Sequence, residues 1–136
     1  MSAVRFREAT ENDVGLILQF IRALAEYEKM ADEVVADEAT LSQQLFEKKH
    51  AEVIFAVKDE KEVGFALYFH NFSTFLGRAG LYLEDLYVLP EYRSSRYANS
   101  KGYFLLNLLL QSLHYLHRLM KGTSPFLSTH RIHILL

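Results

Sequence analysis

The most constraining stretch of this chain is residues 81–93, Leu-Tyr-Leu-Glu-Asp-Leu-Tyr-Val-Leu-Pro-Glu-Tyr-Arg. It opens as a strand rich in β-formers. Alternation puts Leu81, Leu83 and Asp85 on one face and Tyr82, Glu84 and Leu86 on the other. Two acids sit inside that strand, where a plain core strand would hold none. Pro90 then stops it, because proline has no N–H to give the ladder. Arg93 follows, where an anion could be met. An acid-bearing strand, a proline stop and a cationic turn can form the wall and floor of an active site.

The rest of the chain supplies a sheet around that strand. Val4 and Phe6 alternate in a first strand over residues 4–8. Thr10 to Asp13 read as a capping box with Asp in place of Glu or Gln. Val14, Ile17, Leu18, Ile21, Leu24 and Ala25 then recur at helical spacing, predicting a helix to about Lys29. Asp37 is the expected N-cap of a second helix with Leu41, Leu45 and Phe46 inward, and His50 falls in the connection as a solvated residue. Residues 51–58 are apolar on both faces, so that strand is central. Asp59, Glu60 and Lys61 make a polar hairpin turn, and residues 63–72 form a strand with Gly64 at a bulge or close approach. Residues 71–80 are expected as the next turn.

With 136 residues the chain makes one domain with a real core. It has no cysteine, which excludes disulfides and thiolate chemistry and fits a cytoplasmic setting. No signal peptide is visible in residues 1–8, and the longest apolar run is too short to span a bilayer. Charge is unevenly placed. Residues 1–91 hold all 17 acids and nine bases, a net of −8, whereas residues 92–136 hold six bases and no acid. Six bases in that length are too sparse for nucleic acid, so neither nucleic acid nor membrane is expected as a partner.

The run Tyr82-Leu83-Glu84-Asp85-Leu86-Tyr87-Val88, followed by Tyr92-Arg93, resembles the GNAT superfamily of N-acetyltransferases, and within it the diamine (spermidine/spermine-type) branch. Residues 24–30, Leu-Ala-Glu-Tyr-Glu-Lys-Met, carry a second match. The resemblance spans about residues 4–93. It implies a mixed α/β fold with a β-α-α-β-β-β front half, and acetyl-CoA as co-substrate. It further implies a small cationic amine as acceptor, and a homodimer.

It also implies roles. Glu84 matches the carboxylate that holds and deprotonates the amine; on the residues alone it reads as a strand glutamate facing solvent. Tyr27 and Glu28 match the substrate-binding pair; alone they read as an exposed helix end. Leu86, Tyr87 and Val88 match the segment whose backbone meets the pantetheine arm. Arg93, Ser94, Ser95, Arg96, Tyr97, Ala98 and Asn99 occupy the pyrophosphate loop, in which N–H groups cradle phosphate. Arg93 and Ala98 fit that loop, whereas Arg96 replaces its central glycine. The family's tyrosine acid has no counterpart: Tyr97, Tyr103 and Tyr115 stand in other contexts. His114 with His117, and His130 with His133, have metal-ligand spacing but no acid near them, so no metal is expected.

Beyond Arg93 the leucines 105, 108, 109, 113 and 116 make an atypical helical stripe, and Ile132, Ile134 and Leu136 a short last strand. Acids end at Glu91, leucine and histidine become abundant, and the family's last elements look incomplete. Residues 94–136 are therefore expected to be either a divergent tail or the product of a shifted reading frame. Two functions stay open: polyamine or diamine N-acetylation, impaired by the altered loop, and an inactive truncated remnant that only binds ligand or dimerises.

Overall fold

The computed structural model describes residues 4–93 together with the short strands 127–128 and 133–134. Strand β1 (Arg5–Glu8) leads through a 3-10 turn (Glu11–Asp13) into helix α1 (Val14–Tyr27). The Thr10 N–H donates to the Asp13 carboxylate at 2.7 Å, so the capping acid at position 13 does its expected job. Helix α2 (Glu38–Ser42) is capped by Asp37, which accepts from the Thr40 N–H at 2.7 Å. It runs on as a π-helical turn, Gln43–Glu47. Strands β2 (Glu52–Lys58), β3 (Lys61–Ser73) and β4 (Arg78–Val88) follow, and α3 (Pro90–Arg93) begins at the proline. Strands β5 (Leu127–Ser128) and β6 (His133–Ile134) complete the described elements.

The sheet order is β1-β2-β3-β4-β5, with β6 also on β4. The first four strands pair antiparallel; β5 and β6 run parallel to β4. As expected, β2 is central, and Val53 to Val57 are all buried. Asp59 and Glu60 form the two-residue turn between β2 and β3 with φ of 50° and 62°, the backbone that a tight hairpin requires. The β3–β4 turn is shorter than the sequence suggests. Pairing continues to Ser73↔Arg78, so only residues 74–77 turn, closed by Gly77 at φ 66°. β6 lies where the last strand was expected, while the leucine stripe is outside the described residues.

Each face of the sheet carries its own core. Ile17, Phe20 and Leu24 of α1, with Leu45, cover Val53, Phe55, Val57, Phe65 and Tyr87. Leu41 and Phe46 pack against the same cluster, as their spacing predicts. Phe20 is the centre of this face: its ring stacks on Phe65 at 5.3 Å, lies 5.9 Å from Phe55 and meets Tyr87 edge-on at 6.2 Å. The opposite face holds Ile54, Ala66, Tyr68, Leu81, Leu83 and Leu86, with Ala56, Val63 and Val88 beside them.

Two irregularities shape the ladder. At the first, Ala56 pairs with Gly64 and Val57 with Glu62, so Val63 is an extra residue in β3. Gly64 beside it is the close approach that the sequence predicts: a Cβ there would lie 2.8 Å from the Tyr87 carbonyl oxygen. At the second, Leu67 pairs with Asp85 and Tyr68 with Leu83, so Glu84 has no cross-strand partner in β3. This bulge corrects the simple alternation of β4. Leu86 joins Leu81 and Leu83 on one face, whereas Asp85 stands opposite Leu67 on the α1 side.

Candidate active site

The bulge makes Glu84 the one half-buried β4 residue that β3 does not pair, between Leu83 and Asp85. An inserted residue bends its strand and re-aims side chains locally, which suits a reacting group better than a regular ladder position. Downstream, Leu86, Tyr87 and Val88 are 5%, 4% and 2% exposed. Their side chains are committed to the two cores, and β6 pairs with the main chain at Leu86. The ladder ends where the Leu89 N–H donates to the Val63 carbonyl at 2.8 Å, and the Tyr92 N–H then donates to the Leu89 carbonyl at 2.9 Å to start α3. Lys61 Nζ stands 5.7 Å from the centre of the Tyr92 ring, fastening this turn to β3.

Tyr27 ends α1 and is 48% exposed; Glu28 follows it and is half-buried. The helix stops because Lys29 takes φ 58°, while the Met30 N–H donates to the Ala25 carbonyl at 2.8 Å and the Lys29 N–H to Glu26 at 3.1 Å. A lysine in this left-handed position, usually glycine's, holds Tyr27 and Glu28 at a defined terminus. The structure thus sets Glu84 and residues 86–88 on one strand. Tyr27 and Glu28 sit at the end of the helix packed on Tyr87 by Phe20. Arg93 is the last residue of α3, and Ser94, Ser95, Arg96, Tyr97, Ala98 and Asn99 lie outside the described residues. So do His114, His117 and His130. Among the described residues no group of three His, Asp or Glu side chains could hold a metal.

Reading the sequence misses a charge network beneath α1. Arg7 donates to both carboxylate oxygens of Asp13 at 2.8 Å, and to Glu62 at 2.8 and 3.1 Å. Its guanidinium also lies 4.8 Å from the centre of the Phe55 ring. Hydrogen bonding from Arg7 pulls Asp13 down to about 2 and lowers Glu62. The same bonds, the one to Asp13 first, raise Arg7. The network ties the start of α1 to β1 and β3. The only sequence signal was the capping Asp13; Arg7 and Glu62 are 55 positions apart.

The Acetyltransferase (GNAT) family model matches residues 18–116, continuing past the Arg93 limit of the motif resemblance. A thialysine N-epsilon-acetyltransferase of Bos taurus is 43% identical over 102 residues, covering 68% of this chain. The match spans 59% of that relative's own length. Among solved structures, a possible acetyltransferase from Clostridium difficile superposes with a TM-score of 0.64 at 16% identity, covering 98% of this chain and 81% of that one. An aminoglycoside acetyltransferase from an uncultured soil metagenomic sample gives 0.65 at 17% identity, over 94% and 77% of the two chains. These structural likenesses show the fold: a mixed α/β sheet with helices, of the acetyltransferase type. With the family match over most of its length, the chain belongs to the GNAT acetyltransferase family.

Proposed function

We propose that this chain moves the acetyl group of acetyl-CoA onto the terminal primary amine of a small cationic molecule. A diamine, a polyamine or a thialysine-like amino acid fits that description. The observation that carries the reading is Glu84 at an unpaired bulge, with the backbone of residues 86–88 just downstream. The amine must lose a proton before it can attack the thioester carbon. Glu84 accepts that proton, directly or through one water. The new C–N bond forms as the C–S bond breaks, and the thiolate of CoA leaves. The main chain of Leu86, Tyr87 and Val88 orients the acetyl-bearing arm, and polarisation of the carbonyl by N–H groups lowers the barrier. Tyr27 and Glu28 hold the far end of the acceptor, Glu28 by charge and Tyr27 by shape. The acidic residues 1–91 draw a polycation from a distance, an effect that salt weakens. By resemblance we place the protein in the cytoplasm as a homodimer; among the described residues no helix is long and apolar enough to cross a membrane.

The test is acetylation of spermidine, putrescine and thialysine by wild type and Glu84→Gln. The variant is expected to fold normally and lose about a hundredfold or more in turnover. Unchanged turnover removes Glu84 from the chemistry. A second reading rests on Arg96 in place of the loop glycine: a domain that binds or dimerises without catalysis. Absent turnover, with acetyl-CoA binding retained in calorimetry, would favour it.

A further inference from the structure

Among the described residues the exposed large hydrophobic side chains fall in two groups. Tyr27, Met30 and Val35 stand at the end of α1 and in the connection to α2. Phe72, Phe75 and Leu76 crown the turn between β3 and β4, with Phe75 bare to solvent. That turn ends an arm. The last pair of β2 with β3 is Glu52↔Tyr68. Beyond it, among the described strands, β3 and β4 pair only with each other, save for β5 at Leu81 and Tyr82. A two-stranded ribbon is marginal in water, and an exposed apolar tip on one marks a surface that docks. The two groups also differ in charge. Residues 63–83 hold no acid and carry His70 and Arg78, both exposed. Residues 26–35 hold four acids, Glu26, Glu28, Asp32 and Glu33, against Lys29 alone.

We propose that these two surfaces are the halves of one interface between two copies of this chain, and that the partner's Phe75 completes the acceptor site. A single chain does not join its own halves. From Arg78 to Tyr87 strand β4 runs about 30 Å. Tyr27 lies only about 10 Å along α1 past Phe20, whose ring meets Tyr87. In a two-fold pair each arm reaches the other copy's helix end, so the same contact forms twice. Phe72 and Phe75 of both arms, with the surface they cover, bury on the order of 1,000 Å², the lower bound of a specific interface. Charge selects the occupant. An anionic bilayer would accept the aromatic tip but repel residues 1–91, with their net −8, whereas the acidic helix end attracts Arg78. The consequence for the site rests on the acetylation reading above. With Tyr27 and Glu28 holding the far end of the acceptor, the partner's Phe75 closes that slot against water and turns a ring face to the cationic amine.

The experiment uses the full chain, whose lack of cysteine gives a clean background for cross-linking. Wild type is expected to sediment as a dimer. Phe72→Ser combined with Phe75→Ser should weaken that dimer about tenfold or more, as truncation of interface aromatics does. Its urea midpoint should stay close to wild type, because both side chains are exposed. Phe75→Cys chains mixed with Val35→Cys chains under oxidised glutathione should form a disulfide between the two different chains, read by mass. Phe75→Cys with Glu11→Cys, an exposed position at the start of α1, should not. In an active protein the double serine variant should also raise KM for the amine several-fold. A monomeric wild type overturns the proposal, as does a dimer that survives both serines, or cross-linking at Glu11 equal to that at Val35. A monomer that sediments with phosphatidylserine vesicles would give the tip to a membrane instead. Unchanged KM in an active variant removes the partner's Phe75 from the site. Sedimentation and cross-linking do not read turnover, so failure of the acetylation reading would leave the interface result intact.

Discussion

Replacing Arg7 with methionine isolates what the charge network contributes. Asp13 sits at about 2 against an ordinary 3.8, and its side chain is only 13% exposed. A depression of that size corresponds to roughly 2 kcal/mol of stability at neutral pH. Arg7 also lies over Phe55, a contact worth about 0.5–1 kcal/mol. Its loss leaves the half-buried Asp13 and Glu62 facing each other without a cation. Together these effects put the cost of Arg7→Met at about 2–4 kcal/mol at pH 7. The sign with pH follows from the direction of the shifts. Both folded-state carboxyls are held below their ordinary values, so their contribution is complete above about pH 5 and is lost as pH falls, for Asp13 through about 2. In the variant the two acids repel, and protonation relieves them. Urea unfolding at a series of pH values measures the difference. Wild type should lose stability steeply between about pH 5 and 2, and Arg7→Met should lose far less over the same range. Parallel curves, offset but equal in slope, would refute the role of this network.

Gly64→Ala should destabilise by about 1–3 kcal/mol, read as a lower urea midpoint, because its methyl meets the Tyr87 carbonyl at 2.8 Å. An unchanged midpoint would mean that β3 and β4 can separate locally at no cost. Arg96→Gly should tighten acetyl-CoA binding in calorimetry, since glycine lets phosphate reach the backbone; equal or weaker binding would show that the loop is not built as the family builds it. For the tail, we propose that the coding DNA downstream of codon 93 carries, in another frame, a glycine-rich loop, an Asn-bearing strand and a tyrosine helix. The family match through residue 116 bears on the same stretch, and a gene with none of the three features in either other frame would refute the shift.

The sequence is most informative where structure depends on near neighbours. Thr10 and Asp13, Asp37 and Thr40, and Asp59 with Glu60 act within a turn of chain, and the structure places each cap and hairpin as expected. The alternating run of residues 53–57 marks a central strand because both faces are apolar. The bulges are another matter. An inserted residue such as Glu84 leaves composition unchanged and becomes visible only against the partner strand, so simple alternation puts Leu86 on the wrong face. The Arg7–Glu62 pairing is illegible for a similar reason: only the β1-β2-β3 order brings the two side chains together. For the proposed site, the motif points to Glu84, Tyr27 and Glu28. That the side chains of residues 86–88 are buried in the cores is visible only in the fold.

The bulge at Glu84 also says something about descent and engineering. Remove that one residue and Leu83, Asp85, Leu86 and Tyr87 alternate in the order of faces they already occupy, so a single-codon deletion leaves both apolar faces in phase. A substitution at position 84 keeps the bend and loses the acid, whereas a deletion loses both without turning the strand over. A lineage released from acetylation could therefore drop the codon cleanly. In the laboratory, the same deletion is the natural design for a folded but inert version of this chain.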